Sequence, residues 1–518
     1  MTLTSILADL APEWILLLGA CVVLMLGVVG RSPGRFVAPF ALLTVAAALV
    51  ASLLVDYPTG EVLPGLWLNP LTYFARLIAL SIGLLILLVN WRQSADGEHG
   101  EYTAMILFSL LGVLLTASAK HWVVLFFAIE LVSVPTYVLI ALSRDDPRAS
   151  ESAIKYFFLG ALSAAILVFG LVFLYGASGT TTIHRLTGTT VTSALSTGIP
   201  FGSTATIGLL LVFAGLAFKI AAVPFHVYAA DVYEGAASPV TGLLGFVPKF
   251  AGFLALIKVF AAIGWTLPTE LYWLIWIVAA ATMTIGNTLA LLQKNVKRML
   301  AYSSVAHTGY MLVALLVGPV AGQGPLRDGV AALLFYITVY GVMNLGAFAL
   351  LGAFRIGHRD AETLDDIAGI ARRAPVAAFA LAVCVFSLMG FPPTAGFLAK
   401  VYIFSSAFSL PGSHPMQHAL IVLAVIGVIN SAIAAAYYLR IVATAYAGAE
   451  VDEPSPVGGA PIRVGLVLCA IPLLVLFAWP TALTRQARDA TVVLRKSVHV
   501  DAPRVTSAEN APRTNDGM

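Results

Sequence analysis

Charge is what this sequence has least of. Of its 518 residues only 11% are charged and 59% are hydrophobic, against about 25% charged in ordinary soluble domains. With a mean hydropathy of +0.93, a water-soluble globule is excluded and a polytopic membrane protein is expected. Cysteine is nearly absent: Cys21, Cys384 and Cys469 stand apart in apolar segments, with no Cys-x-x-Cys or Cys/His spacing. No iron–sulfur cluster or zinc site is therefore expected, and the three read as small buried hydrophobes. Glycine-rich phosphate-binding patterns are missing too, so no nucleotide cofactor is expected on the chain. A net charge of +3 without a long Lys/Arg run excludes nucleic acid as a partner. No basic residue precedes the first apolar run, which begins after Asp9, so that run is expected to be retained as a span and not cleaved as a signal.

What the chain does have is long apolar runs, at about residues 13–30, 36–55, 70–91, 102–118, 121–142, 154–176, 205–226, 238–263, 270–292, 299–319, 329–353, 375–408, 417–446 and 463–480. At about 20 residues per crossing these make about fourteen transmembrane helices, an all-α integral membrane fold. Alternate loops hold thirteen positives, from Arg31 and Arg35 to Arg372, Arg373 and Arg463, while the opposite loops hold only Lys120, Arg185 and Arg327. The positive-inside rule then puts both termini on the outer side. The expected division is three opening spans (1–101), a first repeat (102–263), a second repeat (270–446), a last span (463–480) and a polar tail (481–518). The tail reads as disordered apart from a short helix near 482–497. Internal symmetry of an inverted-repeat kind would pair about 102–263 with 299–446.

Few charges remain in the spans. Seven basic residues sit in or at the ends of apolar runs: Arg76, Lys155, Lys219, Lys249, Lys258, Lys400 and Arg440; one acid, Glu130, lies well inside one. By helical rise Glu130 is roughly 12 Å and Lys249 roughly 16 Å into a core about 30 Å thick. A charge at such depth costs at least about 2.5 kcal/mol and normally faces a partner or a hydrated path. One acid is too few for the buried lysines, so some of them lack a counter-charge, and burial disfavours a charged ammonium. Groups that can gain and lose a proton are what a relay needs. Arg76, Lys258 and Arg440, near span ends, read as structural or snorkelling side chains, and Lys155 as a flanking anchor.

Two spans are interrupted: Lys219 precedes Pro224 in LAFKIAAVPFHVY, and Pro392, Pro393 and Gly396 precede Lys400 in LMGFPPTAGFLAKVYIF. Proline removes a backbone donor, and irregular backbone at membrane depth survives only where protein or a hydrated cavity satisfies it. Broken helices beside buried lysines mark ion sites. His226 follows the first break and His307 lies in AYSSVAHTGYML. Each is either a proton carrier or a satisfied packing residue. No second ligand stands at metal spacing, so no metal site is expected.

Four stretches, ESAIKYFFLGALSAAILVFGLVFLYGASG from Glu151, FKIAAVPFHVYAADVYEGAASPVTGLLGFVPKFAGF from Phe218, GNTLALLQKNVKRMLAYSSVAHTGYML from Gly286 and SLMGFPPTAGFLAKVYIF from Ser387, together resemble the antiporter-like, proton-translocating subunit N family of bacterial NADH:quinone oxidoreductase, respiratory complex I. Subunits L and M share the core. The segment DVYEGAASPVTGLLGFVPKFAGF, Lys400 where subunit M is expected to carry an acid, and the lack of a long C-terminal lateral helix favour N. The resemblance implies that Glu130, Lys219, Lys249 and Lys400 form the relay, with Lys155 a basic position opening the sixth span and His226 a polar bridge between the seventh and eighth. Glu130 would hold Lys219 charged, and loosening that pair would send its proton towards Lys249, with Lys400 beyond. NADH, FMN, iron–sulfur clusters and quinone are implied for the whole complex and none for this chain. The implied partners are other membrane subunits, including a neighbouring antiporter-like one, and membrane lipids; the implied location is the bacterial plasma membrane. Two other readings stay open: a subunit of a multisubunit sodium/proton antiporter, and a passive scaffold whose buried charges only set helix packing.

Overall fold

Helices begin where an apolar run meets a capping side chain. Asn69 accepts from the Thr72 amide ahead of Pro70, Asp146 from Arg148 ahead of Pro147, Ser203 from Thr206, Asn295 from Arg298 and Asp328 from Ala331. Each cap satisfies one of the amides that a helix start leaves unpaired, and proline at the first position forfeits nothing there. The computed structural model describes residues 3–29, 36–55, 60–91, 99–183, 203–319, 327–356, 359–410, 414–448, 455–457 and 459–499. Arg31, Arg35, Arg92, Arg185 and the tail beyond residue 499 lie outside the described residues.

In chain order the helices are α1 (Leu3–Asp9), α2 (Ala11–Val29), α3 (Val37–Leu54), α4 (Pro70–Val89), α5 (His99–Ser118), α6 (Trp122–Leu142), α7 (Pro147–Ser178), α8 (Thr204–Lys219), α9 (Ala229–Gly235), α10 (Ser238–Ala262), α11 (Thr269–Leu291), α12 (Val296–Val317), α13 (Gly329–Ala353), α14 (Ile370–Arg373), α15 (Pro375–Met389), α16 (Ala395–Phe408), α17 (Gln417–Ala447), α18 (Gly459–Ala478) and α19 (Thr481–His499). Twelve of the described helices are long and apolar enough to cross a membrane. Of the other two expected runs, 375–408 is split into two shorter helices, α15 and α16, and 205–226 is helical only to Lys219 in α8, with irregular backbone ahead of the short α9. Both interruptions foreseen from proline are thus present.

Small sheets lie at the helix ends. β1 (Gly60–Leu63) and β2 (Leu66–Leu68) form an antiparallel hairpin between α3 and α4, and β3 (Phe354–Ile356) pairs antiparallel with both β4 (Arg359–Asp360) and β5 (Ser455–Pro456). The helices are graded in burial. The apolar windows of α10 and α13 are wholly buried and that of α12 is 94% buried, whereas those of α2, α17 and α18 are only 33% buried. A helix that is apolar on all sides and enclosed is a core helix, and one that exposes Val and Leu faces lipid. The three central helices also carry or face Lys249.

The described part of the C-terminal segment is helical. The helix expected near 482–497 is present as α19, and Leu483, Ala487, Ala490 and Leu494 on one stripe of it are buried. It packs on α4 and α13. The Thr491 hydroxyl donates to Asp328 Oδ2 at 2.8 Å, at the start of α13. Spacing of i, i+4, i+7 and i+11 is that of one helical face, so an amphipathic strip lies within a tail that is polar on average.

Candidate functional site

The first break places Lys219 as the last residue of α8, with its ammonium turned towards α6. Lys219 Nζ donates to Glu130 Oε1 at 3.0 Å and to Ser133 Oγ at 2.8 Å. The lysine is 3% and the carboxylate 20% exposed. Glu130 and Ser133 are i and i+3 on α6 and therefore share a face. Beyond Lys219 the backbone is irregular to Tyr228, and its polar groups are taken up by neighbours. The Ile220 carbonyl accepts from Thr308 Oγ1 at 2.6 Å, the Phe218 carbonyl from the Tyr228 hydroxyl at 3.0 Å, and the Val223 amide donates to Thr282 Oγ1 at 3.0 Å. Buried backbone must find such partners.

Thr308 ties this break to the central lysine. Its Oγ1 also accepts from Lys249 Nζ at 3.0 Å, and Lys249 donates a second hydrogen bond to the Ser304 carbonyl. Lys249 is 1% exposed and, among the described residues, has no ion pair with an acid; the Tyr340 ring lies 5.6 Å from its Nζ. Ser304 and Thr308 are i and i+4 on α12, facing α10. Ser303 and His307, one position back, form a second polar stripe turned about 100° away. Ser303 hydrogen-bonds the Tyr438 hydroxyl, and the His307 ring nitrogens lie 2.6 Å from the Tyr336 hydroxyl and 3.0 Å from that of Tyr438. α12 thus presents polar groups on two faces, towards Lys249 and towards α17.

The second stripe leads on to the second break. Tyr438 packs against Tyr437, whose hydroxyl donates to Asn287 Oδ1 at 3.1 Å, and Asn287 Nδ2 donates to the Tyr310 hydroxyl at 3.0 Å. Lys400 Nζ sits 5.1 Å from the centre of the Tyr310 ring and donates to the Met389 carbonyl at 2.7 Å. That carbonyl is the last of α15, so the lysine caps the half-helix whose backbone the break leaves open. Gly390 has φ of +82°, and the Gly396 amide donates to Ser387 Oγ at 3.1 Å. A cleft of about 410 Å³ lined by Gly390, Phe397, Lys400 and Phe404 opens beside this lysine.

The structure therefore places Glu130 with Lys219, Lys249 with Thr308, His307 with its tyrosines and Lys400 beside Tyr310 as neighbouring polar groups along the bundle, joined at α12, which carries both Thr308 and His307. It does not bring in Lys155, which is 46% exposed and pairs with Glu151 at 2.6 Å and Asp231 at 3.6 Å. His226 stands in the first break with its Nδ1 enclosed and, among the described residues, without a side-chain hydrogen-bond partner. Arg76 is structural, as read from its position: it makes a buried two-pronged pair with Glu13 at 2.9 Å. Lys258 donates to the Ala119 carbonyl at 2.9 Å.

Sequence reasoning missed Thr308, Ser304, Tyr340, Tyr438 and Asn287. The available signal was the polar pair at i, i+4 in an otherwise apolar span. It also counted Lys297 with the loop positives, whereas Lys297 is fully buried, donating to the Glu234 carbonyl at 2.8 Å and lying 3.3 Å from Glu362. Lys297 belongs to an ion cluster at one end of the bundle. There Arg144 bridges Asp360 and Glu362, each at 2.7 Å, and the Ser238 amide donates to Asp360 at 3.1 Å. Burial alone would raise the Asp360 carboxyl, but Arg144 and Lys297 hold it below the ordinary carboxylate range. Asp366, whose burial acts the same way, is held down at about 2 by Arg359 and the Thr363 and Glu362 amides.

Residues 119–434 match the family described as NADH:quinone oxidoreductase/Mrp antiporter, transmembrane. The chain is 37% identical over 427 residues to NADH-quinone oxidoreductase subunit N of Trichlorobacter lovleyi, 82% of this chain and 83% of that one. A chain of respiratory complex I from Thermus thermophilus superposes with a TM-score of 0.74 at 29% identity, covering 92% and 98% of the two chains. A chain of the Mrp complex from Dietzia superposes with a TM-score of 0.79 at 19% identity, covering 95% and 99%, a likeness of fold alone.

Proposed function

The chain belongs to the subunit N family of NADH-quinone oxidoreductase, a membrane subunit of a multisubunit respiratory complex, and from that membership we propose that it carries protons across the membrane along the embedded polar chain. The observation that carries the reading is the link at Thr308: one hydroxyl touches both Lys249 and the backbone carbonyl next to Lys219. That link holds Lys249 beside the break that carries Lys219, so a proton leaving Lys219 has the next lysine close by, with water to carry it across the gap. While Glu130 holds Lys219 at 3.0 Å, the counter-charge favours the ammonium. When the carboxylate moves away, an isolated ammonium in low dielectric is disfavoured and its proton passes on. Lys249, with no acidic partner among the described residues, holds a proton only transiently. His307 and its tyrosines stand between it and Lys400, the exit-side group. Lys155 and His226 serve at the flanks, as an electrostatic support and a polar bridge.

The driving energy comes from electron transfer in other subunits, which bind NADH, FMN, iron–sulfur clusters and quinone. This chain sits beside another antiporter-like subunit in the bacterial plasma membrane, both termini outside. The test is NADH-driven proton pumping in membrane vesicles carrying Lys219→Ala, with complex assembly and quinone reduction followed in parallel. The expected result is pumping and coupled turnover reduced far more sharply, per assembled complex, than assembly itself. Unchanged pumping with loss of sodium-dependent proton exchange would replace this reading with that of a sodium/proton antiporter.

A further inference from the structure

Among the described residues no hydrogen bond joins Lys249 to His307: the lysine meets one polar face of α12 and the histidine stands on the other. The ring of Tyr340, from α13, lies next to both. Lys249 Nζ is 5.6 Å from its centre, and the centre of the His307 ring is 5.0 Å away. A cation within about 6 Å of an aromatic ring is attracted to its face, so the ring suits either neighbour when that neighbour is charged. Ring carbons carry no exchangeable proton, and the hydroxyl, which does, is turned elsewhere. It donates to Ser304 Oγ at 2.8 Å and also reaches Asn344 Oδ1 at 3.2 Å. One hydroxyl hydrogen serves one acceptor at a time, so these are alternative bonds. Both acceptors are anchored. Ser304 belongs to α12, and Asn344 Nδ2 donates to the Gly242 carbonyl of α10 at 3.2 Å, packed so closely that a Cβ at Gly245 would overlap its amide. Tyr340 itself is fully buried. Its tip is thus tied to α12 directly and to α10 through Asn344, the two helices that carry His307 and Lys249.

We propose that Tyr340 is the gate between Lys249 and His307. With its hydroxyl held by Ser304 or Asn344, the ring fills the space beside both groups and keeps it dry. When both bonds let go, the ring swings aside and water enters to join the two. The inference rests on the reading that Lys249 and His307 exchange protons, and it adds a positioning residue that exchanges none. Such a gate is needed because a hydrated path left open from face to face would let protons run back down their gradient, and a dry constriction is what stops them.

The test uses the intact complex in sealed lipid vesicles loaded with a pH gradient, without NADH, the decay of the gradient being followed with an internal pH-sensitive dye. NADH-driven pumping is read on the same vesicles. Tyr340→Phe keeps the ring and loses both anchoring bonds. It is expected to speed the decay roughly fivefold per assembled complex, the factor by which one buried hydrogen bond favours a closed state. Adding Lys249→Met should return the decay to that of the unaltered complex, because this leak runs through the lysine, whereas a leak from loosened packing would persist. Asn344→Ala removes one of the two acceptors and leaves the phenol in place. It should give a smaller leak of the same kind, which keeps the proposal testable if Tyr340→Phe fails to assemble. Unaltered decay in both variants, or a faster decay that Lys249→Met does not reverse, overturns the gate, and the relay stands as long as Lys249→Met alone abolishes pumping. Full pumping by Lys249→Met alone removes the relay reading, and the gate with it.

Discussion

At Thr308 a single oxygen accepts from Lys249 and donates to the Ile220 carbonyl. Replacing it with valine keeps the shape, removes the bridge and leaves a buried carbonyl without its partner, at about 1 to 3 kcal/mol. Thr308→Val is therefore expected to assemble at reduced yield and to pump several-fold more slowly, and Thr308→Ser to restore both; NADH-driven acidification of vesicles measures it. The pair of Lys219 and Glu130 separates structure from function in a different way. Lys219→Met strands a carboxylate deep in the bundle, and breaking a buried pair costs about 3 to 5 kcal/mol, whereas removing both charges is often nearly neutral. Glu130→Gln/Lys219→Met should accordingly recover assembly over the single variant without recovering pumping, as read from complex yield on native gels beside proton flux. If the double variant pumps, the pair is scaffolding. These two residues were legible in the sequence because a charge in an apolar run has few innocent explanations. Thr308 was not, because a threonine inside a helix usually satisfies itself on its own backbone, and only the fold reveals which neighbour it meets. Lys297 was misread for the complementary reason: it opens a span, where a lysine ordinarily reaches water, but the α9 carbonyls and Glu362 close over it.

Among elements, the broken helices carry Lys219 and Lys400, and at the second break the open helix end offers the Met389 carbonyl to its lysine. The second break depends on close approach at Gly396, where a Cβ would come 1.8 Å from the Ser387 carbonyl oxygen. No rotamer relieves a clash with backbone, so Gly396→Ala must drive α16 from α15 and pull Lys400 off the Met389 carbonyl. Loss of pumping with partial loss of assembly is expected, and Ala395, one position earlier, shows that bulk is tolerated where the backbone does not touch. Proline and glycine announced both breaks, since their chemistry is local. The helix α19 was announced only as a short segment in a polar tail, because its mean polarity conceals a buried stripe that has meaning only against α4 and α13. Truncation after Trp479 removes Leu483, Ala487 and Ala490 from burial and the Thr491 contact from Asp328. The expected outcome is a lower melting temperature for the purified complex, by several degrees, with the polar chain around Lys249 left in place.

For the whole molecule the charges fall into two systems with different tasks. In the middle, one acid, Glu130, pairs with Lys219 while Lys249 and Lys400 have no acid partner among the described residues, an imbalance suited to moving protons. At one end, Arg144, Lys297, Asp360, Glu362, Arg359 and Asp366 are matched and tie the loop after α6, the starts of α10 and α12 and the strand β4 into one block. A matched cluster holds still, which gives the moving part a fixed base. The two systems should separate on the pH axis. Asp360 and Asp366 lie below their ordinary range when folded, the latter at about 2. Groups with depressed values contribute stability that is complete above the unfolded carboxylate value of about 3.9 and is lost as pH falls through the folded value. The end block should thus stabilise the protein evenly from pH 5 to pH 8 and weaken only between about pH 4 and pH 2. Thermal unfolding of the purified complex across that series measures it: a flat melting temperature at neutral pH and an acid limb that Asp366→Asn makes shallower. Pumping, which needs groups that exchange protons near neutrality, should vary in the range where stability does not. A melting temperature that instead tracked pumping between pH 5 and pH 8 would mean that the relay lysines themselves hold the fold together, and the separation of fixed base from moving charge would have to be abandoned.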